Sequence, residues 1–570
     1  MSTDSRRKFL SVAASALLDS KTDAVEYEFN DPSNKEIPRH LAKTNTGINT
    51  YTGAWTNTQV LHLLRRTMFG VTKADLDFFK TMTMSDAVDY LLNISATVPS
   101  PPVNNYNNAQ LTDPDVPLGQ TWINAPVNPT FEGLRIASWK SWWTMLMVNQ
   151  DRTIREKMTL FWHNVLATET MVVRDSRYTY KHNALLRASC LGNLKTLVRD
   201  ITVDPAMLVY LNGDQNTATA PDENYARELQ ELFTIGKDID PHYTEEDVRA
   251  AARVLTGWRT NRNGVSSFFQ ANQHDSTNKQ FSSFYNNTVI TGRTGNNAGM
   301  DELNDLLTMV FSHPEVAKHI CRELYRFFVY YVIDESVELN VIEPLADYFR
   351  SNNYDIKKVM EKLLKSEHFF DPLNSGCVIK SPVDFLVGSA RLMNLQFPNA
   401  TNIQTQYAHY LYAQQYTALI GQNIGDPPDV AGWPAYRQSP QFYELWINSD
   451  SLPKRNQAND LLLFTGYNRF GHMLKYNVIA FAEQFATPAD PNALLNDILT
   501  LCYPLSVSET TKTSIKTAFL LSGQTSDHYW TDAWNDYKAA PADAMKKAAV
   551  ESRLQSMMKY IFGLAEYQLS

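Results

Sequence analysis

Residues 204–258 constrain the fold of this chain most, because helix start and stop signals follow one another closely there. Asp204 before Pro205 is typical of an N-cap and the first helical residue, a position where proline loses no hydrogen bond. Gly236 marks the end of a second helix, and Thr244 begins a capping box for a third. Several short, capped helices in so little sequence predict a mainly α-helical body.

The second of these helices, predicted over residues 221–236, has two unlike faces. Its apolar side chains share one face at about 100° per residue, and the opposite face carries Asn224, Arg227, Glu228 and Glu231. Two interpretations stay open. The polar face is either solvated, with weak local ion pairs, or turned inward, where Arg227 must pair with Glu228 or Glu231 to offset its desolvation. An inward face would be a candidate site.

Two histidine-containing segments add further candidates. His163 and Asn164 lie opposite the apolar face of a predicted helix, so His163 points either to solvent or to a second layer of structure. His274 and Asp275 precede a polar turn, with Lys279 nearby. Such a pair suits acid–base chemistry or metal ligation, and the aspartate alone suits a turn fixed by bonds to backbone amides.

Residues 266–290 differ in composition from the helical segments around them. Phe, Tyr, Val and Ile flank a Ser-Thr-Asn turn, which predicts a β-hairpin inserted in the helical body. Trp258, Trp433 and Trp446 stand in or near loops. They either stack on sugar rings or brace these loops, and bracing is favoured because aromatic burial contributes strongly to packing.

Separated blocks of sequence carry a family resemblance, in one order along the chain. They read LLRRTMFGVT, REKMTLFWHNVLAT, DPAMLVYL, DENYARELQELFTIG, YTEEDVRAAARVLTGW, ANQHDSTNK, GDPPDVAGWPAY with LWINSDSLPKR, and the closing AEYQLS. These blocks resemble the bacterial family DUF1800, a domain of unknown function. The resemblance implies a mainly α-helical fold, export by the twin-arginine route and no established activity. Genes of this family often stand beside those of an exported family called DUF1501, which implies a partner protein.

The amino terminus carries the localisation signal. Residues 5–10, SRRKFL, resemble a twin-arginine motif, and residues 9–18 form a weakly apolar run too short to span a bilayer. An ordinary basic helix is the alternative. We therefore expect a periplasmic or cell-surface protein without a transmembrane segment. The predicted organisation is an export leader (1–20), a linker (21–50), a DUF1800-like helical core (51–455) and a C-terminal helical part of the same family region (456–570).

Composition excludes several classes of protein. A hydrophobic content of 44% in 570 residues supports a large core, and a net charge of -9 argues against coating nucleic acid. The four cysteines, at positions 190, 321, 377 and 502, lack the close spacing of zinc or iron–sulfur ligands. Disulfides and buried free thiols are equal alternatives for them. Zincin, nucleophile-elbow, Walker and Rossmann motifs are all missing from the sequence.

Two functional hypotheses follow from these observations. The first is an exported enzyme whose site gathers His163, Asn164, Asn224, Arg227, Glu228, Glu231, His274 and Asp275. Histidines with carboxylates suit a divalent metal or a general acid–base pair. The second is a non-enzymatic scaffold at the cell surface or in the periplasm, which binds a partner or a glycan.

Overall fold

Helices form most of the regular structure in residues 46–237 and 242–570, which the computed structural model describes. Three two-stranded antiparallel sheets are attached to them. The predicted mainly α class is therefore confirmed. The predicted leader and residues 21–45 of the predicted linker lie outside the described residues. Within the described residues, no helix combines the length and apolar character needed to cross a bilayer.

The first half of the chain supplies eleven of the helices in the described residues. These are α1 (Asn57–Thr67), α2 (Lys73–Phe79), α3 (Met84–Leu92), α4 (Glu132–Val148), α5 (Arg155–Val165), α6 (Thr170–Val173), α7 (Ser176–Ser189), α8 (Leu194–Thr202), α9 (Pro205–Tyr210), α10 (Asn224–Glu231) and α11 (Glu245–Val254). The long loop before α4 is held from inside the protein. Arg135 of α4 and Asp113 of the loop form a fully buried ion pair at 2.9 Å.

The second half of the chain is also mainly helical. Its helices are α12 (Ala298–Ser312), α13 (Glu315–Phe328), α14 (Glu335–Val337), α15 (Glu343–Ser351), α16 (Ile356–Leu364), α17 (Pro382–Leu392), α18 (Ile403–Leu419), α19 (Ser451–Asp460), α20 (Val478–Ala482), α21 (Pro491–Cys502), α22 (Glu509–Ile515), α23 (His528–Ala539) and α24 (Ala544–Gly563). Helices α4 and α18, each of 17 residues, pack against each other over a long contact.

The predicted caps are present, although one helix is shorter than expected. Asp204 accepts hydrogen bonds from the first turn of α9, and Thr244 forms a capping box at α11. Helix α10 begins at Asn224, not at Pro221, because Asp222 accepts the amide of Asn224 in a turn. It ends five residues before Gly236, whose φ of +90° then redirects the chain.

The strands pair differently from the single predicted hairpin. Strand β1 (Trp258–Asn261) pairs with β2 (Ser266–Phe269), β3 (Lys279–Gln280) with β4 (Val289–Ile290), and β5 (Tyr467–Arg469) with β6 (His472–Leu474). The expected hairpin over residues 266–290 is present as β3 with β4, but the two segments that flank its Ser-Thr-Asn turn do not pair with each other. Its polar turn is held instead by Arg253 of α11, which donates to the carbonyl of Asn278 at 3.0 Å.

One hydrophobic core runs from α1 to the last residues and includes both sides of the expected boundary at 455/456. Polar bonds reinforce this connection. Arg65 of α1 donates to the carbonyl oxygens of Leu501 at 3.0 Å and Tyr503 at 2.8 Å, and Ile379 forms an antiparallel bridge with Leu569. Residues 501–503 are therefore bonded to α1, the first helix of the described residues, and Leu569 to the segment before α17.

Candidate functional site

His163 and Asn164 lie at the end of α5 and hold the loop at residues 425–433. The amide of Gly425 donates to Nε2 of His163 at 3.1 Å, and the amide of Trp433 donates to Oδ1 of Asn164 at 2.9 Å. Both side chains are buried. The helical projection allowed solvent or a second layer for His163, and the structure selects the second layer.

The surroundings of His163 keep it neutral. Burial lowers its pKa to about 3, and the rings of Trp143 and Trp433 lie with centroids 5.2 and 5.7 Å away. Because Nε2 accepts a backbone amide, the ring proton is on Nδ1. This histidine therefore acts as a fixed acceptor for the loop.

Arg227 forms a partly exposed ion-pair network between α10 and α11. Its guanidinium binds both carboxylate oxygens of Glu245, at 2.8 and 2.7 Å, and reaches Glu223 at 3.2 Å. Glu231 is more distant, at 3.9 Å. The side chain of Arg227 is 31% exposed, so its main partner is a residue of the next helix on a solvated face. Asn224 on the same helix is exposed.

Glu228 and Glu231 lie further round α10, and both are half-buried. Burial raises the pKa of Glu228, and the neighbouring carboxylate of Glu231 raises it further. Of the two partners predicted for Arg227 on an inward face, Glu231 is within ion-pair distance at 3.9 Å, and Glu228 is not among its ion-pair partners in the described residues. Glu228 and Glu231 thus have weaker ion-pair partners than Arg227 on the same helix.

His274 and Lys279 both contact the carboxylate of Glu302, a residue that was not among the predicted site residues. Glu302 of α12 is fully buried, with Nζ of Lys279 2.5 Å from Oε2 and Nε2 of His274 3.1 Å from Oε1. The amide of Arg293 also donates to Oε1 at 2.6 Å. Burial alone would raise the pKa of Glu302, but these bonds lower it below its usual value. This buried cluster joins the turn to α12.

Asp275 fixes the turn itself. Its Oδ1 accepts the amide of Thr277 at 2.8 Å, and its Oδ2 lies 2.7 Å from Nε of Arg253. Although burial opposes it, the hydrogen bonds from Arg253 and Thr277 lower the pKa of Asp275 to about 2. The contacts of Asp275 are those of a turn-forming aspartate, the simpler of the two roles considered for it.

The eight predicted residues therefore do not converge on one point. They form three groups: a loop anchor at the end of α5, an ion-pair network on α10, and a buried cluster at the turn before β3. Of the eight, Asn164 and Glu231 line a common cavity of about 450 Å³. This cavity lies where the ends of α5 and α10 meet α13 and residues 431–442. We call it the arginine-lined cavity.

Several charged side chains line the arginine-lined cavity. Besides Glu231, they are Lys237, Arg322, Glu323, Arg326, Glu338 and Arg437. Each arginine has a carboxylate partner: Arg322 pairs with Glu338 at 2.5 Å, Arg326 with Glu323 at 2.8 Å, and Arg437 with Asp429 at 2.5 Å. The pairs hold the guanidinium groups in place around the cavity.

His319 of α13 also lines this cavity, and the sequence analysis did not identify it. Its Nε2 donates to the carbonyl of Leu232 at 2.8 Å, so Nδ1 carries a lone pair. No described residue forms a hydrogen bond with Nδ1. Gly236 keeps the adjacent space open, because a Cβ there would lie 3.0 Å from Nδ1. Burial lowers the pKa of His319.

A sequence signal for this wall does exist. His319, Arg322, Glu323 and Arg326 stand at positions i, i+3, i+4 and i+7 of α13, which places them along one helix face. This spacing could have identified a polar face here, as it did for the helix that carries Arg227.

The three tryptophans brace the structure. Trp258, Trp433 and Trp446 are each at most 6% exposed. A sugar ring needs an open aromatic face for stacking, so their burial gives no support to a glycan site built on these residues. Trp433 also donates its backbone amide to Asn164.

Metal ligation receives no support from the arrangement of side chains. In the part of the chain that is described, no group of three or more His, Cys, Asp or Glu side chains could hold a metal ion. The four cysteines are free thiols, three of them buried.

Comparison with known proteins settles the family. A family model described as "Protein of unknown function (DUF1800)" matches residues 62–569. The chain belongs to the DUF1800 family. No curated protein and no solved structure matches it. The match includes α5, α10, α13 and the 425–433 loop, so in this DUF1800 protein all walls of the arginine-lined cavity lie within the family region.

Proposed function

We propose that this DUF1800 protein is an exported enzyme that performs acid–base chemistry on a small anionic substrate in the arginine-lined cavity. The observation that carries the proposal is the unbonded Nδ1 of His319 beside three arginines. A histidine fixed by one ring nitrogen and open at the other is suited to accept a proton.

The electrostatics of the cavity support His319 as the base. Burial lowers its pKa, the nearby Arg326 and Arg322 add to this effect, and Glu323 opposes it. The imidazole is therefore neutral at neutral pH, which is the form that accepts a proton. The carbonyl of Leu232 orients the ring.

The size and charge of the cavity support a small anionic substrate. A volume of about 450 Å³ is within the range of small-molecule sites, on the order of 300–1,000 Å³. Guanidinium groups bind carboxylates and phosphates through paired donors. Arg326 and Arg437 each use one terminal nitrogen for their ion pair, at Glu323 and Asp429 respectively. The second terminal nitrogen of each forms no hydrogen bond with a described residue and can donate to a substrate.

The test combines ligand screening with matched histidine variants. Wild-type protein is screened by thermal denaturation against small carboxylates and phosphate monoesters. We expect one of these ligands to stabilise the wild type and to be converted to a product. Arg326→Gln should lose the stabilisation, and His319→Gln should lose the conversion. His313→Gln, just before the same helix, is the control and should keep both. If no such ligand stabilises the wild type, or if His319→Gln keeps turnover, the proposal fails.

The second candidate function is a structural scaffold, and one observation favours it. His163, Asn164, His274 and Asp275 all bond to loops or turns of their own chain. On this view Glu302→Gln, which leaves Lys279 unpaired in the interior, costs about 3–5 kcal/mol of stability. The exposed pair at Arg227 contributes little, about 0–1 kcal/mol. A stable protein that binds no small anion would favour the scaffold, for which a DUF1501-type protein is the first partner to test.

Export rests on the twin-arginine-like motif at residues 5–10. We expect the full-length protein to reach the periplasm of a bacterial host. The double variant Arg6→Lys, Arg7→Lys should stay in the cytoplasm. Cell fractionation measures both, and export of the double variant through the same route would contradict the assignment.

A further inference from the structure

Residues from both ends of the family region line two small cavities. The walls of these cavities carry more cationic side chains than carboxylates. Each has a volume of about 30 Å³, and Arg65 and Asp384 line both. The cations along their walls are Arg65, Arg66, Lys157, Arg326 and Lys380, whereas Asp384 is the only carboxylate side chain among the residues that line them.

Most of this positive charge has no carboxylate to balance it. Lys157 pairs with Asp384, and Arg326 pairs with Glu323 outside these cavities. Arg65, Arg66 and Lys380 have no carboxylate partner among the ion pairs of the described residues. We call these three residues the cationic cluster. Nearby Arg455, which is fully buried, also lacks an ion pair in the described parts of the chain.

The cluster bonds to backbone carbonyls instead. Arg66 donates to the carbonyl of Asn374 at 2.9 Å, and Lys380 donates to that of Tyr567 at 2.6 Å. A carbonyl satisfies a donor but leaves the net charge in place, and an uncompensated buried charge is costly.

Buried donors without an acceptor also indicate that the described residues do not compensate the charge of this cluster. Nε of Arg66 and Nε of Arg455 are buried and have no hydrogen-bond acceptor. Arg66 is 3% exposed, so bulk water does not compensate its charge. Burial lowers the pKa of Arg65 to about 10 and that of Lys380 to about 7, as expected where the charged form lacks a counter-ion.

We propose that the cationic cluster binds one small inorganic anion of the size of chloride. Both cavities are far too small for an organic substrate, since about 10–15 Å³ accommodates a single water molecule. A monatomic anion fits in that space and supplies negative charge beside the unpaired cations. None of the three residues of the cationic cluster lines the arginine-lined cavity, although Arg326 borders both that cavity and one of the small ones, and the proposal does not depend on the proposed enzymatic function.

Bromide provides a direct test, because it replaces chloride and scatters anomalously. Crystals of the wild-type protein are grown in sodium bromide, and an anomalous difference map is computed. We expect one peak within bonding distance of Arg65, Arg66 or Lys380. Ser570 lines both cavities too. A map with no bromide there, or with atoms of Ser570 in its place, would overturn the proposal.

Stability in solution is the second measurement. Chloride is exchanged for gluconate at constant ionic strength, and unfolding by urea is followed. Above the dissociation constant, a tenfold rise in chloride should raise the folding equilibrium constant about tenfold, as one-site linkage requires. Arg66→Met should abolish this dependence, whereas Arg350→Met, which removes an exposed arginine paired with Asp347, should keep it. A wild type that is equally stable in both salts would contradict the proposal.

Discussion

Single residues in this protein often stabilise loops from inside the helical body. Asn164 shows how: one amide oxygen accepts the backbone N–H of Trp433 and fixes the 425–433 loop. An amide group at such a position is energetically important because its removal leaves a buried donor unsatisfied. The same chemical type on the surface, at Asn224, has no comparable effect.

This contrast gives a first prediction. Asn164→Ala should lower the free energy of unfolding by about 1–3 kcal/mol, since the amide of Trp433 loses its acceptor. Asn224→Ala should change it by less than about 0.5 kcal/mol. Urea unfolding of both variants measures the difference, and equal effects would show that the loop does not depend on Asn164.

Asp275 allows a prediction about pH. Its pKa is lowered from 3.8 to about 2 in the folded state, mainly through bonds from Arg253 and Thr277. A lowered carboxyl pKa adds stability that is present above the unfolded value and lost as pH falls through the folded value. The contribution is about 2 kcal/mol at neutral pH.

The stability difference between wild type and Asp275→Asn should therefore be constant above about pH 5 and shrink from about pH 4 towards pH 2. Urea unfolding at several pH values measures it. A difference that stays unchanged down to pH 3 would mean that Asp275 is not held as its contacts indicate.

At the level of elements, the ends of α5 and α10, one face of α13 and loop residues form the walls of the arginine-lined cavity. The end of α5 packs against the 425–433 loop so closely that Gly432 has no room for a side chain. A Cβ at Gly432 would lie 2.3 Å from Oδ1 of Asn164, and its φ is +80°. Gly471, at the tip of the β5–β6 hairpin, has a similar φ of +78° but nothing within 4 Å.

These two glycines separate steric clash from backbone strain. Gly432→Ala should cost about 2–4 kcal/mol, because the loop must move away from α5 as well as adopt a strained φ. Gly471→Ala should cost only the strain, about 1 kcal/mol. Thermal or urea denaturation compares them, and similar losses would argue against tight packing at Gly432.

At the scale of the whole molecule, hydrogen bonds join α1 to the end of α21, and one hydrophobic core continues through the C-terminal helices of the described residues. Arg65 of α1 bonds to carbonyls at positions 500, 501 and 503, and core side chains continue across residues 455 and 456. A fragment of residues 46–455 should therefore fail to show a cooperative unfolding transition, because it exposes part of the core. Near-UV circular dichroism with urea unfolding tests this. A sharp transition in the fragment would show that the two parts fold independently.

The sequence by itself determined the local and family-level features of this protein. The caps at Asp204 and Thr244 depend on side-chain bonds to amides two or three residues away, so neighbouring residues suffice to predict them. The mainly helical class follows from the periodicity of apolar side chains, and the family follows from blocks of residues in a fixed order.

The tertiary structure decided which residues meet. Glu245 as the partner of Arg227, and Glu302 between His274 and Lys279, both involve positions well separated along the chain. The same is true of His319 and Asn164, which line one cavity from α13 and α5. Helical periodicity fixes a side chain's direction relative to its own helix axis. The packing of helices against one another determines what lies in that direction, and this packing depends on the whole core.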